Sequence, residues 1–287
     1  MIPEAVVCPY EATHLSDVLP HQLVVRVDGT RDIAKAISNC AGRVRIRAVM
    51  VRTQAPLSAL EYSESWGATP VLVSSPSMGS FKEILGKLDV LSKLNVRLLL
   101  PASNPESYVS LQILSSLGVG CGIRFDGAAV HWEQLNDLLH YAMYTKIPHG
   151  PIEPFDYVAS RYASEGIVDF GDVYYENPLR FAHVDRLGRV ALSVEDASQE
   201  VFVGQGAAAL EQLAAHPHYQ SKETSWHQHF LERTDCSYCP AWRVCLGKFA
   251  GLADKNTTCR PAFAELLSAC ERHSSDATER DSRRWPY

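Results

Sequence analysis

The sequence lacks any apolar run that approaches the length of a membrane-spanning helix. Positive charge is also scarce, because 27 Lys and Arg residues face 33 Asp and Glu residues and leave a net charge of -6 at pH 7. General nucleic-acid binding needs a basic surface, so this balance argues against it. Residues 1–20 contain acidic residues and no basic start, which argues against a signal peptide. We therefore expect a cytoplasmic protein whose partners include neither nucleic acid nor membrane.

Familiar catalytic patterns and internal repeats are missing as well. The spacing of Ser, His and Asp supports no catalytic triad, and no glycine-rich phosphate loop occurs. At 46% hydrophobic residues, the 287-residue chain can still bury one large core or two modest ones. Asp28 and Asp126 follow predicted strands, where β/α barrel enzymes build their active sites. An aspartate beside a glycine also forms turns, and this explains both positions equally well.

Cysteine is the residue type with an informative arrangement. Cys236, Cys239, Cys245 and Cys259 form the pattern C-x2-C-x5-C-x13-C, which places half of the eight cysteines within 24 residues. In a reducing compartment such a set favours metal ligation over disulfides. Four thiolates suit an iron–sulfur cluster or a tetrahedral zinc ion, and their spacing alone does not choose between the two. We expect buried free thiols at the scattered positions Cys8, Cys40, Cys121 and Cys270.

The first 150 residues alternate short apolar strands with amphipathic helices, which is the pattern of a parallel α/β sheet. Five or six βα units fit this length, too few for a closed eight-unit barrel, so a partial, open β/α barrel of TIM-like type is predicted. Strands are predicted at 4–8, 21–27, 44–51, 69–73, 96–100 and 118–125. Helices are predicted at 32–39, 56–66, 81–94, 105–117 and 132–143.

The composition changes at 146–154, where prolines and a glycine predict a domain boundary. We therefore assign residues 1–150 to the open barrel and residues 151–272 to a small α+β domain. Residues 273–287 are charged and poor in apolar residues, so a flexible tail is predicted there. The small domain contains a predicted hairpin, 180–184 with 189–193, and predicted helices at 206–215, 218–232 and 261–271.

Two segments resemble the radical SAM/SPASM family. Residues 69–125 resemble the second half of a radical SAM partial barrel. Residues 181–259 resemble a SPASM domain, in which a hairpin with Gly-x4-Cys precedes a C-x2-C-x5-C-x3-C run and a last cysteine. The first three cysteines of the set match the start of that run, and Cys259 matches the last cysteine. The resemblance implies that the four residues bind one auxiliary [4Fe–4S] cluster.

The sequence also departs from the family. The fourth cysteine of the run is replaced by Phe249, and the hairpin cysteine is replaced by Ser193. In the family these positions belong to a second auxiliary cluster, so the resemblance implies only one cluster here. The C-x3-C-x2-C motif that holds the SAM-cleaving cluster is absent, because Cys8 is followed by Ala12 and Leu15 at the other two positions. That chemistry needs three thiolates and one open iron, so we expect neither bound SAM nor SAM cleavage.

The resemblance implies an accessory role. We expect an iron–sulfur subunit that partners a complete radical SAM enzyme in peptide (RiPP-type) or protein modification. It would aid peptide-substrate binding or electron transfer and have no independent catalysis. The alternative is a stand-alone enzyme that uses the open barrel mouth, with a structural cysteine site that holds zinc. A deep polar pocket at the carboxyl ends of the strands would favour the alternative.

Overall fold

The computed structural model describes residues 3–12, 22–40, 45–125, 129–163, 166–232, 234–249 and 259–274. Ten strands from these ranges form one sheet. The strands are β1 (Ala5–Pro9), β2 (Gln22–Val27), β3 (Ile46–Arg52), β4 (Val71–Ser74), β5 (Val96–Pro101), β6 (Cys121–Arg124), β7 (Ile152–Glu153), β8 (Phe181–Val184), β9 (Arg189–Ala191) and β10 (Gly204–Gln205). The helices are α1 (Ile33–Cys40), α2 (Phe81–Leu85), α3 (Leu88–Leu91), α4 (Glu106–Ser116), α5 (Trp132–Tyr144), α6 (Phe155–Arg161), α7 (Val194–Ser198), α8 (Gly206–Glu211), α9 (Pro217–Glu232), α10 (Thr234–Ser237), α11 (Trp242–Cys245) and α12 (Cys259–Ser274). Within the described ranges, no helix has the length and apolar character that crossing a bilayer requires.

The predicted α/β class is confirmed, and the sheet is mostly parallel. Its strand order is β10-β9-β8-β1-β2-β3-β4-β5-β6-β7. The eight strands from β8 to β7 run parallel, whereas β9 and β10 are antiparallel to their neighbours. The sheet formed by the described residues is open, with β7 and β10 at its two ends. Because neighbouring parallel strands share a direction, their carboxyl ends meet at one edge, where ligand sites are commonly built.

The central strands are apolar because both faces of the sheet are covered. Every residue of β5 is buried, including Arg97, whose Nε lies 3.4 Å from Oε1 of the buried Glu153 on β7. The other carboxylate oxygen of Glu153 accepts the backbone N–H of Tyr157 at 3.0 Å. This ion pair links β5 to β7 across β6. Removing one partner of a buried pair typically costs about 3–5 kcal/mol.

Two predicted helices are wrong in their extent. The predicted helix 56–66 is replaced by two short 3-10 turns. Within this segment, the carbonyl oxygen of Leu60 accepts a hydrogen bond from Lys87 Nζ at 2.7 Å instead of one from a helical backbone N–H. The predicted helix 81–94 is divided into α2 and α3, because Gly86 is a poor helix former and ends α2.

The sheet crosses the predicted domain boundary at 150/151. β7 pairs with β6, and the sequence did not predict it because it is only two residues long. The predicted hairpin is confirmed, since β8 and β9 are antiparallel and the Asp185 carboxylate accepts the N–H groups of Leu187 and Arg189 at 2.9 Å. Its first strand, however, also pairs with β1 in the main sheet. Separate domains remain a prediction, as does a flexible tail, of which residues 275–287 lie outside the described residues.

Candidate functional site

Backbone turns position the first three cysteines of the predicted metal site. α10 ends at Ser237, and the N–H of Cys239 donates to the carbonyl oxygen of Cys236 at 3.0 Å. The short helix α11 then carries Cys245 at its last position. Gly247 follows with φ +73°, a left-handed conformation that glycine adopts without strain, and it turns the chain back. The sequence C-x2-C-x5-C thus folds into two short helical turns joined by tight connections.

The fourth cysteine approaches the others from α12. Cys259 is the first residue of that helix and follows 250–258, which lie outside the described residues. Its thiol interacts electrostatically with those of Cys239 and Cys236, and the Cys245 thiol interacts with all three of the others. The thiols of the four predicted ligands therefore lie close enough to influence one another electrostatically.

Burial and backbone amides set the chemistry of these thiols. Burial is the main reason why the pKa of Cys245 rises to about 12, against a hydrogen bond from the Gly247 backbone. Burial also raises the pKa of Cys259, while the backbone N–H groups of Cys259 and Arg260 act in the opposite direction. N–H donors at a helix N-terminus stabilise a thiolate, and hydrogen bonds to sulfur tune iron–sulfur clusters. Four thiols are the donor set of a thiolate-ligated cluster or metal ion, and because burial favours their protonated form, binding of either would release protons.

The four thiols are not arranged around a common metal-binding point. In the part of the chain that the structure describes, no group of three or more His, Cys, Asp or Glu side chains is arranged to hold a metal ion. Cys245 is buried, whereas Cys236, Cys239 and Cys259 are partly exposed. Ligation would draw these thiols together, as is usual where metal binding couples to local folding. The choice between an iron–sulfur cluster and zinc stays open on these contacts.

The two positions that would carry a second family cluster have packing and capping roles. Phe249 is buried, with its ring centroid 5.6 Å from that of Phe170, 5.2 Å from Phe263 and 4.9 Å from Phe125. The Ser193 hydroxyl caps α7 by accepting a backbone N–H at 3.0 Å. The aromatic cluster holds the cysteine segment against the carboxyl edge of the sheet, because Phe125 directly follows β6.

Cys8 is the next-to-last residue of β1 and is 1% exposed. Its neighbours Val7 and Pro9 line a cavity at the carboxyl edge of the sheet, so the alternation of a strand places the Cys8 side chain on the other face. Burial, followed by the nearby Cys40, raises the pKa of Cys8 to about 12. Leu15 lies outside the described residues. All four scattered cysteines are buried and none forms a disulfide, in agreement with the prediction of buried thiols at most of these positions.

A cavity with polar and apolar lining opens at the carboxyl edge of the sheet, in two adjoining parts of about 820 and about 920 Å³. A cavity of this size suits a small-molecule ligand. We name it the strand-end cavity. Its defining charged and polar side chains are Arg26 on β2, Arg52 on β3, Arg124 on β6, His183 on β8 and Glu176, which precedes β8. Asp28, a sequence-predicted candidate, also lines it. Asp126 lies outside the described residues.

His183 is buried at the strand-end cavity. It pairs with Val7 in the β8–β1 register and is 2% exposed. Neither ring nitrogen has a hydrogen-bond partner of good geometry among the described residues. Burial, followed by the charge of Arg26, lowers the pKa of His183 to about 3, while Asp196 and the Tyr175 backbone act in the opposite direction. The ring is therefore neutral at physiological pH.

Glu176 connects the strand-end cavity to the cysteine segment. The side chain is open to solvent, yet the surrounding protein raises its pKa by desolvation, against the positive charges of Lys248 and two cavity arginines. Lys248 Nζ also lies 2.6 Å from Asp169 Oδ1. Because Lys248 is three residues from Cys245, charges in the cysteine segment act on the cavity.

Sequence reasoning missed the arginines and the histidine of the strand-end cavity. A usable signal was present, because Arg26, Arg52 and Arg124 stand at or next to the last position of mainly apolar strands. In a parallel sheet those positions converge at one edge. His183 interrupts the short apolar strand β8 in the same way.

Comparisons with known proteins give no relative for this chain: no family model, no curated protein and no solved structure matches it.

Proposed function

We propose that the chain is an iron–sulfur protein of the radical SAM/SPASM type that holds one [4Fe–4S] cluster and cleaves no SAM. Cys236, Cys239, Cys245 and Cys259 would be the ligands. The protein would serve as an accessory subunit of a complete radical SAM enzyme that modifies a peptide or protein. The observation that carries the proposal is that the four thiols interact electrostatically, although they come from α10, the turn after it, α11 and α12. Zinc is the alternative occupant of the same donors.

The strand order supports a partial barrel as the scaffold. The parallel series β8-β1-β2-β3-β4-β5-β6-β7 is the cyclic order of an eight-stranded β/α barrel that is left unpaired between β7 and β8. The hairpin of β8 and β9 and the cysteine segment follow this series in the chain, as they would in a SPASM domain. The proposal therefore treats the strand-end cavity as the barrel mouth.

The position of Cys8 supports the absence of SAM cleavage. A cluster that binds SAM needs three thiolates directed at the barrel mouth, with one iron left open. Cys8 is buried on the face of β1 that points away from the strand-end cavity. Ala12, at the second family position, is likewise buried and offers no ligand.

The residues around the thiols suit a protected redox or structural site. The rings that surround Phe249 exclude water from one side of the segment, and the backbone N–H groups of Gly247 and Arg260 point at sulfur. When bound, a [4Fe–4S] cluster would supply one-electron transfer or a structural cross-link. Lys248 and Glu176 provide charge between the thiols and the cavity, where a peptide substrate would approach.

The proposal is tested with anaerobically reconstituted protein, SAM and a strong reductant, assayed for 5′-deoxyadenosine. No product above background is expected from the chain alone. Product is expected when a co-encoded radical SAM enzyme is added, and modification of the peptide should stop when this chain is omitted. Product from the chain alone would contradict the absence of SAM cleavage, and peptide modification without the chain would contradict the accessory role.

A stand-alone enzyme is the second candidate, and the strand-end cavity favours it. The cavity lies at the carboxyl edge of a parallel sheet, has charged side chains in a mixed polar and apolar lining, and contains a buried neutral histidine. In that case the cysteine site is structural, so replacing its metal with zinc should leave activity unchanged. An accessory redox subunit would lose its function on the same replacement.

A further inference from the structure

The strand-end cavity contains a guanidinium group without a protein partner. Arg26 makes neither a hydrogen bond nor an ion pair within the described residues, and its Nε is buried without a partner. Arg26 as a whole is partly buried and lines the cavity. Its buried Nε loses hydration that no described protein group replaces, which is costly unless a ligand restores it.

Further donors converge on the same cavity. Arg52 lines this cavity and is exposed to solvent. It interacts electrostatically with Arg26, so two like charges lie near each other. Arg124 lines both parts of the cavity. His183, whose ring is neutral and nine-tenths buried or more, adds an unpartnered polar group. Like charges held together in a low-dielectric site are stabilised by an anion between them.

Within the described residues, no carboxylate of the cavity forms a hydrogen bond or an ion pair with Arg26. Asp185 lies 2.7 Å from Arg189 Nε, and Glu11 lies 2.9 Å from Arg186 Nη2, so both already have cationic partners. Asp28 and Glu11 act on Arg26 through space without bonding to it. Asp32, Glu176 and Glu195 also line the cavity, and Glu176 interacts electrostatically with Arg52 and Arg124.

We propose that the strand-end cavity is a binding site for an oxyanion, a carboxylate or phosphate group of a small ligand, held by Arg26 and Arg52 with His183 and Arg124 beside them. The guanidinium fork of arginine matches both anions in a bidentate geometry. The inference does not rest on the cysteine site, because these side chains belong to strands β2, β3, β6 and β8.

The test is calorimetric titration of the full-length, anaerobically purified protein with inorganic phosphate and, separately, with succinate at constant ionic strength. Saturable one-site binding with a dissociation constant of about 1 mM or tighter is expected for at least one probe. Preference for phosphate identifies a phosphate-bearing ligand, and preference for succinate identifies a carboxylate-bearing one. No saturable binding of either probe would overturn the inference.

Arg26→Met should weaken binding about tenfold or more, because a charge-assisted bidentate contact is lost. Arg31→Met is the matched control: Arg31 is exposed, pairs with Glu61 at 3.0 Å and should leave the affinity unchanged. If Arg26→Met fails to fold, Arg52→Met replaces it as the test variant, because Arg52 is exposed. Equal losses in the cavity variants and the control would overturn the site. Iron content should stay constant throughout, which separates this result from failure of the cysteine-site proposal.

Discussion

Some single residues of this chain lower its folding stability in ways that the sequence alone does not show. His183 occupies a strand position where both ring nitrogens are buried without a good partner. Its burial, together with Arg26, favours the neutral ring over the charged one, and the Asp196 carboxylate only partly offsets this. Unpartnered buried polar groups persist mainly where function requires them. The residue therefore links a stability cost to the anion site proposed for the strand-end cavity.

His183 should make stability depend on pH. Its pKa is about 3 in the folded chain against 6.5 ordinarily, so between these values the unfolded chain holds a proton that the folded chain does not. Stability should therefore fall as pH falls through this window, by at most about 1.4 kcal/mol per pH unit from this group. Urea unfolding should show a shallower pH dependence for His183→Gln than for wild type. The exposed His140→Gln serves as the control, and equal slopes in all three proteins would contradict the assignment.

At the scale of elements, an aromatic cluster joins α5, α12, the cysteine segment and the end of β6. Phe249 is central to it, because its ring contacts Trp132 at 5.3 Å between centroids as well as Phe125, Phe170 and Phe263. Such packing depends on residues far apart in sequence. The phenylalanine at this position therefore has a packing role.

Phe249→Ala should cost about 3–5 kcal/mol of unfolding free energy, as expected for emptying a buried aromatic position. The matched control is Phe81→Ala at the exposed start of α2, where the change should stay within about 0.5 kcal/mol. Urea denaturation of both variants measures the difference. A small loss for Phe249→Ala would show that the cysteine segment is not anchored by this cluster.

Much of the element pattern was predictable, because local signals determine it. Apolar runs located the strands from β1 to β6, and the Asp185 turn located the hairpin. The errors came from non-local contacts: the side chain of Lys87 satisfies a carbonyl oxygen inside the predicted helix 56–66. β7 is too short to show a hydrophobic period, and its formation as a strand depends on pairing with β6. The set of four cysteines was visible as spacing, whereas the cavity residues become a group only when the strands converge.

At the scale of the whole molecule, the sheet is continuous across the predicted boundary at 150/151. β8 hydrogen-bonds to β1, near the start of the chain, and β7 completes the edge beside β6. α12 also reaches back to α5, where the Tyr144 hydroxyl lies 2.6 Å from Glu265 Oε1. The residues on both sides of the boundary therefore share one core.

A fragment of residues 1–150 should fail to fold cooperatively. It would expose the edges of β1 and β6 that β8 and β7 cover, and it would lose the rings that pack on Phe125. Circular dichroism during heating should show no sharp transition for the fragment and a sharp one for the full chain. A cooperative transition in the fragment would instead establish the boundary as one between independent domains.

The most direct test of the central claim is iron, sulfide and zinc analysis of protein purified without oxygen. One [4Fe–4S] cluster per chain predicts about four irons and four sulfides. Cys239→Ala should lose most of this iron, whereas Cys8→Ala should retain it, because Cys8 is buried in β1 away from the other thiols. Stoichiometric zinc without sulfide, or equal iron content in the two variants, would contradict the claim that Cys236, Cys239, Cys245 and Cys259 hold an iron–sulfur cluster.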